Sequence, residues 1–338
     1  MKPFLKKISN NKDLTLSEME QATRQLFMET TSDAEIGAFL TGLKAKGETT
    51  EEITGIVNVI REKSLTLHDN IPNVMDNCGT GGDGSQSFNI STTSAFVIAG
   101  AGITVAKHGN RSISSKTGSA DVLEALGVSL TMEKDQMQRV LEKNGIAFLF
   151  APHVHPALKR MMKIRKELNI PTIFNLIGPL TNPVQLTTQL LGIYRRDMLV
   201  QMAEVLHQLG RKRAIVLNGA GYMDEASLAG ENALVLLENG ELRTFTLRPE
   251  DVGLPQYDNE EIKGGNASEN ARILRNVLEG KKGAHRDTVL LNAGLGIYAH
   301  GEVDTVREGI RMAKESIDSG KALKKLKQLI QYSLAKEV

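Results

Sequence analysis

The stretch GTGGDGSQSFNIST, at residues 79–92, opens the densest concentration of glycine in the chain. Nine of the 31 glycines lie in the 49 residues from Gly79 to Gly127. Because evenly spread flexibility would not give this concentration, the backbone here must approach something that side chains would block. The stretch follows a predicted strand, Val74–Asp76, and in open α/β sheets ligands bind beyond the carboxyl ends of strands. The sequence therefore predicts a binding loop at the edge of a sheet.

The loop matches the pattern G-x-G-x-x-G through Gly79, Gly81 and Gly84. A dinucleotide site also needs a helix that opens inside the motif and an acidic residue about 20 positions later. Residues 85–94 are polar and indicate a continuing loop, and residues 84–120 contain no Asp or Glu. A nicotinamide-dependent dehydrogenase is therefore not favoured.

The same acid-free stretch favours a phosphate or pyrophosphate ligand. It carries Lys107, His108, Arg111 and Lys116 among glycines and hydroxyl side chains. Backbone N–H groups and cations without competing carboxylates suit such an anion. We expect Ser91 or Thr92 to cap a helix whose amino terminus faces it. The alternative is a glycine-rich surface loop followed by an ordinary helix cap.

The sequence on either side predicts two domains. Residues 1–70 indicate a small all-helical domain, joined by a segment near 165–185. Residues 71–338 alternate strand and helix patterns, as expected of an α/β domain with a mostly parallel central sheet. Three pairs in the helical part have capping-box spacing: Ser17 with Glu20, Ser32 with Glu35, and Thr49 with Glu52. The predicted strands are Val74–Asp76, Ile103–Ala106, Ala147–Phe150, Leu190–Ile193, Ala214–Leu217 and Thr288–Leu291, with a hairpin of Ala233–Leu237 and Leu242–Leu247 around Asn239-Gly240.

Composition excludes several classes of protein. The 338 residues carry 41 Lys and Arg against 40 Asp and Glu, which argues against a protein that coats nucleic acid or binds membranes through a basic patch. The single cysteine, Cys78, excludes an internal disulfide and a multi-cysteine zinc site. The longest apolar run, Ala95–Ala106, is shorter than the roughly 20 residues of a membrane span. We expect a cytoplasmic protein without a signal peptide.

Five blocks of the chain resemble the anthranilate phosphoribosyltransferases. They are GTGGD at 79–83, NIST at 89–92, KHGNR at 107–111, GSADVLE at 118–124 and FNLIGPLTNP at 174–183. Their order and spacing agree over nearly the whole chain. The resemblance implies transfer of phosphoribose from phosphoribosyl pyrophosphate (PRPP) to the amine of anthranilate, early in tryptophan biosynthesis. It also implies Mg²⁺ as the cofactor, with two ions per active site, and a homodimer formed through the helical domain.

The resemblance also implies site residues. Ser91 with Glu225 would hold one Mg²⁺, and Asp224 with Glu225 the second; without the resemblance, two adjacent acids in a loop would usually be just solvated. The anthranilate ligands would be Gly79, Asn110, Arg165, His155 and His108. Val154 separates His153 from His155, which leaves open which histidine lines this site. The PRPP ligands would be Gly79, Gly82, Asp83, Ser87, Asn89, Ile90, Ser91, Thr92, Lys107, His108, Gly109, Asn110, Arg111, Ser112, Ile113, Ser114, Ser115 and Ser119.

We expect no covalent nucleophile and no essential Cys78, because pyrophosphate bound to Mg²⁺ leaves readily and an aniline nitrogen needs no prior deprotonation. Domain closure would require hinges near residues 67–73 and 165–172. Two alternatives remain: a pyrimidine nucleoside phosphorylase of the same architecture, and a nucleic-acid-binding relative of the fold.

Overall fold

The computed structural model describes residues 1–65, 67, 71–112 and 116–335. The chain begins with four helices, α1 Lys2–Ser9, α2 Leu16–Leu26, α3 Asp33–Lys46 and α4 Thr50–Glu62. Capping boxes at Ser32 and Thr49 confirm two of the predicted helix starts. The predicted Ser17–Glu20 box is wrong. Thr15 and Glu18 have the same spacing, and they form the box two residues earlier.

A seven-stranded sheet with the order β3-β2-β1-β4-β5-β6-β7 forms the centre of the fold. The first five strands in this order are parallel, and β6 and β7 are antiparallel. Asn239 and Gly240 both have positive φ, at 51° and 91°, as a type I′ hairpin requires. The fold class predicted from the sequence is confirmed. The strands are β1 Met75–Gly79, β2 Val105–Gly109, β3 Ile146–Phe150, β4 Thr188–Gly192, β5 Arg213–Asn218, β6 Asn232–Glu238 and β7 Glu241–Leu247.

Helices cover both faces of the sheet. They are α5 Ile90–Gly100, α6 Ser119–Ala125, α7 Lys134–Asn144, α8 Ala151–Val154, α9 Lys159–Leu168, α10 Phe174–Ile177, α11 Leu199–Gln208, α12 Ala267–Leu278, α13 Ala284–His300, α14 Val306–Asp318 and α15 Lys321–Leu334. The predicted strand at 288–291 is wrong, because these residues lie in α13. This helix is buried on nearly all sides, so its apolar residues lack the one-sided helical period.

The two faces of the sheet belong to two hydrophobic cores. On one face, Met75 and Ile215 pack with α5 and α13. On the other face, Leu191 and Val216 share a core with α11 and with the amino-terminal helices. The helical part of the chain therefore packs onto one side of the sheet. No helix in the described ranges is long and apolar enough to cross a membrane.

Candidate active site

The acid pair lies over the carboxyl ends of the two central strands. Gly79 at the end of β1 pairs with Gly192 at the end of β4, and the loop after β5 brings Asp224 against both. A Cβ atom on either glycine would overlap Asp224. The backbone N–H of Gly81 donates to Asp224 Oδ2 at 2.6 Å. The glycine-rich loop thus needs Gly79 because the carboxylate of Asp224, which belongs to the loop after β5, lies against its backbone.

Glu225 faces the start of α5. The Ser91 backbone N–H donates to Glu225 Oε1 at 3.1 Å, which places Ser91 beside the acid pair. Asp83 lies on the other side of the pair, and its Oδ2 accepts from the Asp224 N–H at 3.3 Å. Of the three neighbouring acids, Glu225 is therefore the one that contacts the first turn of α5.

Burial makes these acids hard to ionise within the protein alone. Burial, followed by repulsion from Asp83 and Glu225, raises the pKa of Asp224 well above its ordinary value. Burial also raises the pKa of Glu225 to about 7, although Lys107 opposes that shift. A hard divalent cation, which prefers carboxylate oxygens, would favour ionisation of both groups. The donor set therefore fits Mg²⁺.

Within the described residues, no three His, Cys, Asp or Glu side chains are grouped closely enough to hold a metal ion. Mg²⁺ commonly binds through one or two carboxylates and takes its other ligands from substrate phosphates and water. The arrangement therefore suits a cation that binds together with a phosphorylated substrate.

The sequence interpretation missed Arg196, which fixes the acidic loop. Its Nε donates to Asn218 Oδ1 at 2.8 Å, and its guanidinium stacks 5.2 Å from the ring of Tyr222. Asn218 in turn donates to the Ile193 carbonyl at 2.8 Å. Tyr222 has a φ of 62°, an uncommon conformation for a bulky residue. The position of Arg196 just after a predicted strand was the available signal.

The predicted side-chain cap of α5 is wrong. Asn89 is the capping residue, and Ser91 and Thr92 lie inside the first turn. The Asn89 side chain makes no capping bond, because it donates to the Thr117 carbonyl at 3.3 Å and accepts from Asn270 at 2.8 Å. Asn89 thus joins the glycine-rich loop to the segment that follows the basic block.

Lys107 and His108 serve opposite faces of the sheet, as consecutive residues of a strand do. Lys107 is 3% exposed, and its ammonium group donates to the Asn77 carbonyl beside the acid pair. The ring of His108 packs edge to face against the ring of His155, with 5.2 Å between the centroids. The basic block therefore contributes to two neighbouring compartments.

The two histidines are held neutral. Burial, with a smaller contribution from His155, lowers the pKa of His108 to about 3. Burial likewise lowers the pKa of His155 to about 4. The carbonyls of Gly178 and Thr181 approach these rings, yet among the described residues His108 Nε2 and both His155 nitrogens lack a hydrogen bond of good geometry. Neutral rings with free nitrogens suit an aromatic amine better than a phosphate.

Arg165 is a half-buried cation without a carboxylate partner among the residues that the structure describes. Its guanidinium lies 5.2 Å from the Phe174 ring and donates to Asn175 Oδ1 at 3.5 Å and to Met162 Sδ at 3.2 Å. Burial lowers its pKa. A planar cation in this position suits a carboxylate ligand.

Arg111 is paired within its own segment. It makes 2.8 Å ion pairs with Asp121 and Glu124, which raise its pKa. Ser119 donates to the Asn110 carbonyl at 3.2 Å, and Gly109 leaves room for the Ser119 hydroxyl. An anion would therefore compete with two acids for Arg111.

The remaining predicted ligands lie around the loop. Asp83 accepts from the Ser85 N–H at 3.1 Å, and Ser87 makes a single β-bridge with Lys263. Gly82 has a φ of 82° and faces Tyr194. The Asn110 Oδ1 accepts from the Arg111 N–H at 2.7 Å, and the Ser112 N–H donates to Asp121 at 3.3 Å. Ile113, Ser114 and Ser115 lie outside the described residues.

The chain combines a helical bundle with a mostly parallel sheet and carries an acid pair over a glycine-rich loop, which is the architecture of a class of glycosyltransferases. Family models agree: residues 2–64 match the helical bundle domain of the glycosyl transferase family, and residues 71–323 match its a/b domain.

Named relatives narrow the class. The anthranilate phosphoribosyltransferase of Exiguobacterium sibiricum is 61% identical over 97% of each chain. The crystal structure of the Thermus thermophilus anthranilate phosphoribosyltransferase matches with a TM-score of 0.93 and 39% identity, covering 98% of this chain and 99% of that one. The Saccharomyces cerevisiae enzyme in complex with PRPP and Mg matches with a TM-score of 0.90 and 28% identity, covering 98% of this chain and 97% of that one. The chain belongs to the anthranilate phosphoribosyltransferase family, and it is an enzyme of the glycosyltransferase class.

Proposed function

We propose that this chain transfers the 5-phosphoribosyl group from PRPP to the amine of anthranilate, giving N-(5-phosphoribosyl)anthranilate and pyrophosphate in L-tryptophan biosynthesis. The observation that carries the proposal is the Asp224–Glu225 pair, buried over Gly79 and beside Ser91. Such a site suits a cation bound to pyrophosphate. The names of relatives at about 60% identity over nearly the full length support the same reaction.

The donor is placed between the glycine-rich loop, α5 and the acid pair. Ser91 with Glu225, and Asp224 with Glu225, would hold two Mg²⁺ ions, which when bound neutralise pyrophosphate and make it a better leaving group. Lys107 is the buried cation nearest these groups. The predicted PRPP ligands between Gly79 and Thr92 belong to this loop and to the first turn of α5. The loop excludes bulky side chains, so backbone N–H groups can reach phosphate oxygens.

We place the acceptor next to the donor, beyond the carboxyl ends of the same strands and toward the face of the sheet that carries His108. Arg165 would bind the carboxylate of anthranilate, while His108 and His155 line its ring and Asn110 and Gly79 approach the amine. Displacement at the anomeric carbon develops positive charge on the ribose, and the neutral amine attacks without prior deprotonation. Once the C–N bond has formed, the nitrogen releases its surplus proton to the departing pyrophosphate or to solvent. The chain therefore aligns two substrates and excludes water. No covalent nucleophile is needed, and burial raises the pKa of the Cys78 thiol well above its usual range.

The remaining assignments concern the whole protein. We assign residues 1–70 to a helical domain, joined by the segment near 165–185, and residues 71–338 to a PRPP-binding domain. The active protein is a cytoplasmic homodimer formed through the helical domain, without a nucleic-acid partner. Hinges at 67–73, part of which lies outside the described residues, and at 165–172 permit closure. Asn169 ends α9 with a φ of 49°, which supports a sharp change of chain direction there. Small-angle scattering with and without PRPP and an anthranilate analogue tests domain closure. Equal radii of gyration in the two states would count against closure.

Loss of anthranilate fluorescence tests the reaction. We expect the signal to fall only when PRPP, Mg²⁺ and anthranilate are all present. Phosphorolysis of thymidine or uridine, with no consumption of anthranilate, would instead identify a pyrimidine nucleoside phosphorylase. Salt-sensitive DNA binding without turnover of PRPP would identify a nucleic-acid-binding protein.

A further inference from the structure

A buried polar network lies beneath the histidine pair. Asp76, Asn182, Gln189 and Arg211 are each at most 1% exposed. Asp76 and Gln189 are register partners on β1 and β4, so their side chains share the face of the sheet that carries His108. Buried polar groups are costly unless they are hydrogen-bonded, so the connections of this network are informative.

One half of the network joins the segment 178–184 to β2. The Asn182 amide donates to Asp76 Oδ2 at 3.0 Å and to the Ala106 carbonyl at 2.8 Å. The other carboxylate oxygen of Asp76 accepts from the His108 backbone N–H at 3.4 Å. Asp76 thus connects the segment directly to the strand position that carries a histidine of the acceptor site.

The other half joins the same segment to β4. The Gln189 amide donates to the Pro179 carbonyl at 2.8 Å, and its Oε1 accepts from Arg211 Nε at 3.1 Å. Arg211 also donates to the Leu209 carbonyl at 2.9 Å. Two amide side chains therefore fix the segment at both ends, at Pro179 and at Asn182. The two carbonyls that face the imidazoles belong to Gly178, directly before Pro179, and to Thr181, directly before Asn182.

We propose that Asn182 and Gln189 are positioning residues of the acceptor site, which hold the segment 178–184 so that His108 and His155 keep their edge-to-face arrangement. Both amides are fully buried and are bonded within the network, so neither is assigned a direct contact with a substrate. The inference rests on the proposed function, which assigns these histidines to the anthranilate side.

The decisive variant is Gln189→Glu, which keeps an acceptor for Arg211 and removes the donor to Pro179. Gln189→Met, of similar size, serves if the charged variant does not fold. The matched control is Thr188→Val. Thr188 is the preceding residue of β4 and is also buried, but it points to the opposite face, where its hydroxyl bonds His300 Nδ1 at 2.8 Å.

Steady-state kinetics with both substrates varied gives the first readout. We expect the KM for anthranilate to rise about 5-fold, as the loss of one buried hydrogen bond implies. The KM for PRPP should stay within about twofold of the parent value, and Thr188→Val should change neither constant. An equal rise in both KM values, or no change in a folded Gln189 variant, would overturn the proposal.

Histidine ring NMR gives a readout independent of turnover. The signals of His108 and His155, assigned with His108→Gln and His155→Gln, should move in the Gln189 variants and stay in place in Thr188→Val. Unmoved signals would overturn the positioning role. If the parent protein does not consume anthranilate, the proposed function fails, while the ring signals still decide whether Gln189 positions the pair.

Discussion

At the scale of residues, the chemistry of the site depends on the surroundings of each acid more than on whether it is Asp or Glu. Asp224 is buried and Glu225 is half-buried, and the carboxylate of Asp83 lies beside Asp224. Lys107 is the cation that favours ionisation of Glu225, and it is itself bonded to the Asn77 carbonyl. The site is therefore short of positive charge until a cation and its substrate bind.

Removal of one carboxylate should weaken the transition state more than the fold. We expect Glu225→Gln to lower kcat/KM by roughly 100- to 1,000-fold, or about 3–4 kcal/mol, because it removes a charged group from the departing pyrophosphate. The Mg²⁺ concentration for half-maximal rate should rise. The control is Glu231→Gln, since Glu231 is exposed and, among the described residues, forms an ion pair with Arg248 alone, at 3.4 Å. Equal rates for the two variants in the fluorescence assay would exclude Glu225 as a ligand.

Stability should fall in mild acid because two histidines are buried neutral. Their folded pKa values, about 3 and about 4, lie below the ordinary 6.5, so the unfolded chain binds more protons as the pH falls through 6.5. Each histidine should cost about 1.4 kcal/mol of unfolding free energy between pH 7.5 and 5.5. Urea unfolding of His108→Gln should show a pH dependence smaller by that amount. An equal pH dependence of the unfolding free energy in the parent and in His108→Gln would contradict the lowered pKa of His108.

The strands of the sheet were predictable from sequence, whereas the helix α13, which is buried on nearly all sides, was not. The other five predicted strands, which correspond to β1–β5, and the Asn239-Gly240 hairpin were found within a few residues of their observed bounds. The strand prediction at residues 288–291 failed because the helix α13 is apolar on all sides. The prediction that Ser91 or Thr92 caps α5 failed because the helix already begins at Ile90, with Asn89 as its capping residue. The Asn89 side chain does not cap either, because it is bonded to Asn270, 181 residues away. The role of Arg196 depends on a long-range contact of the same kind.

The packing of β1 and β4 against the acidic loop gives an element-scale prediction. Gly79→Ala would place a Cβ atom inside the volume of Asp224 and push the acidic loop away from Gly79 and Gly192. A displacement of about 1 Å at a reacting centre can cost roughly 100-fold in rate. We therefore expect a loss of that order in kcat/KM, with about 1–3 kcal/mol of stability lost through overpacking.

The matched control for this change is Gly230→Ala. Its added Cβ would meet the Ala220 side chain at an ordinary 3.6 Å. Activity and thermal midpoint should both stay near the parent values. A Gly79→Ala enzyme with full activity would show that the loop tolerates movement, and the close-approach argument would be wrong.

The amino-terminal helices and the sheet form one packed body on the acceptor side. Met202 in α11 is fully buried, and it belongs to a core that includes Ile56 of α4 and Leu191 of β4. Arg165 belongs to α9, whose Met161 and Ile164 pack into this same core. The proposed acceptor site is thus attached to the helical bundle as well as to the sheet, and we expect the bundle and the sheet to unfold together.

The chain contains no tryptophan, so single tryptophans can report on each part separately. Phe27→Trp would report on the helical bundle and Phe245→Trp on β7, since both side chains are half-buried. Met202→Ala should lower the unfolding free energy by about 2–5 kcal/mol through loss of packing. Because the core is shared, the denaturant midpoints of both probes should fall together. Val200→Ala, at a 44% exposed position of the same helix, should change the unfolding free energy reported by either probe by less than about 0.5 kcal/mol. A shift confined to one probe would mean that the bundle and the sheet unfold as separate units.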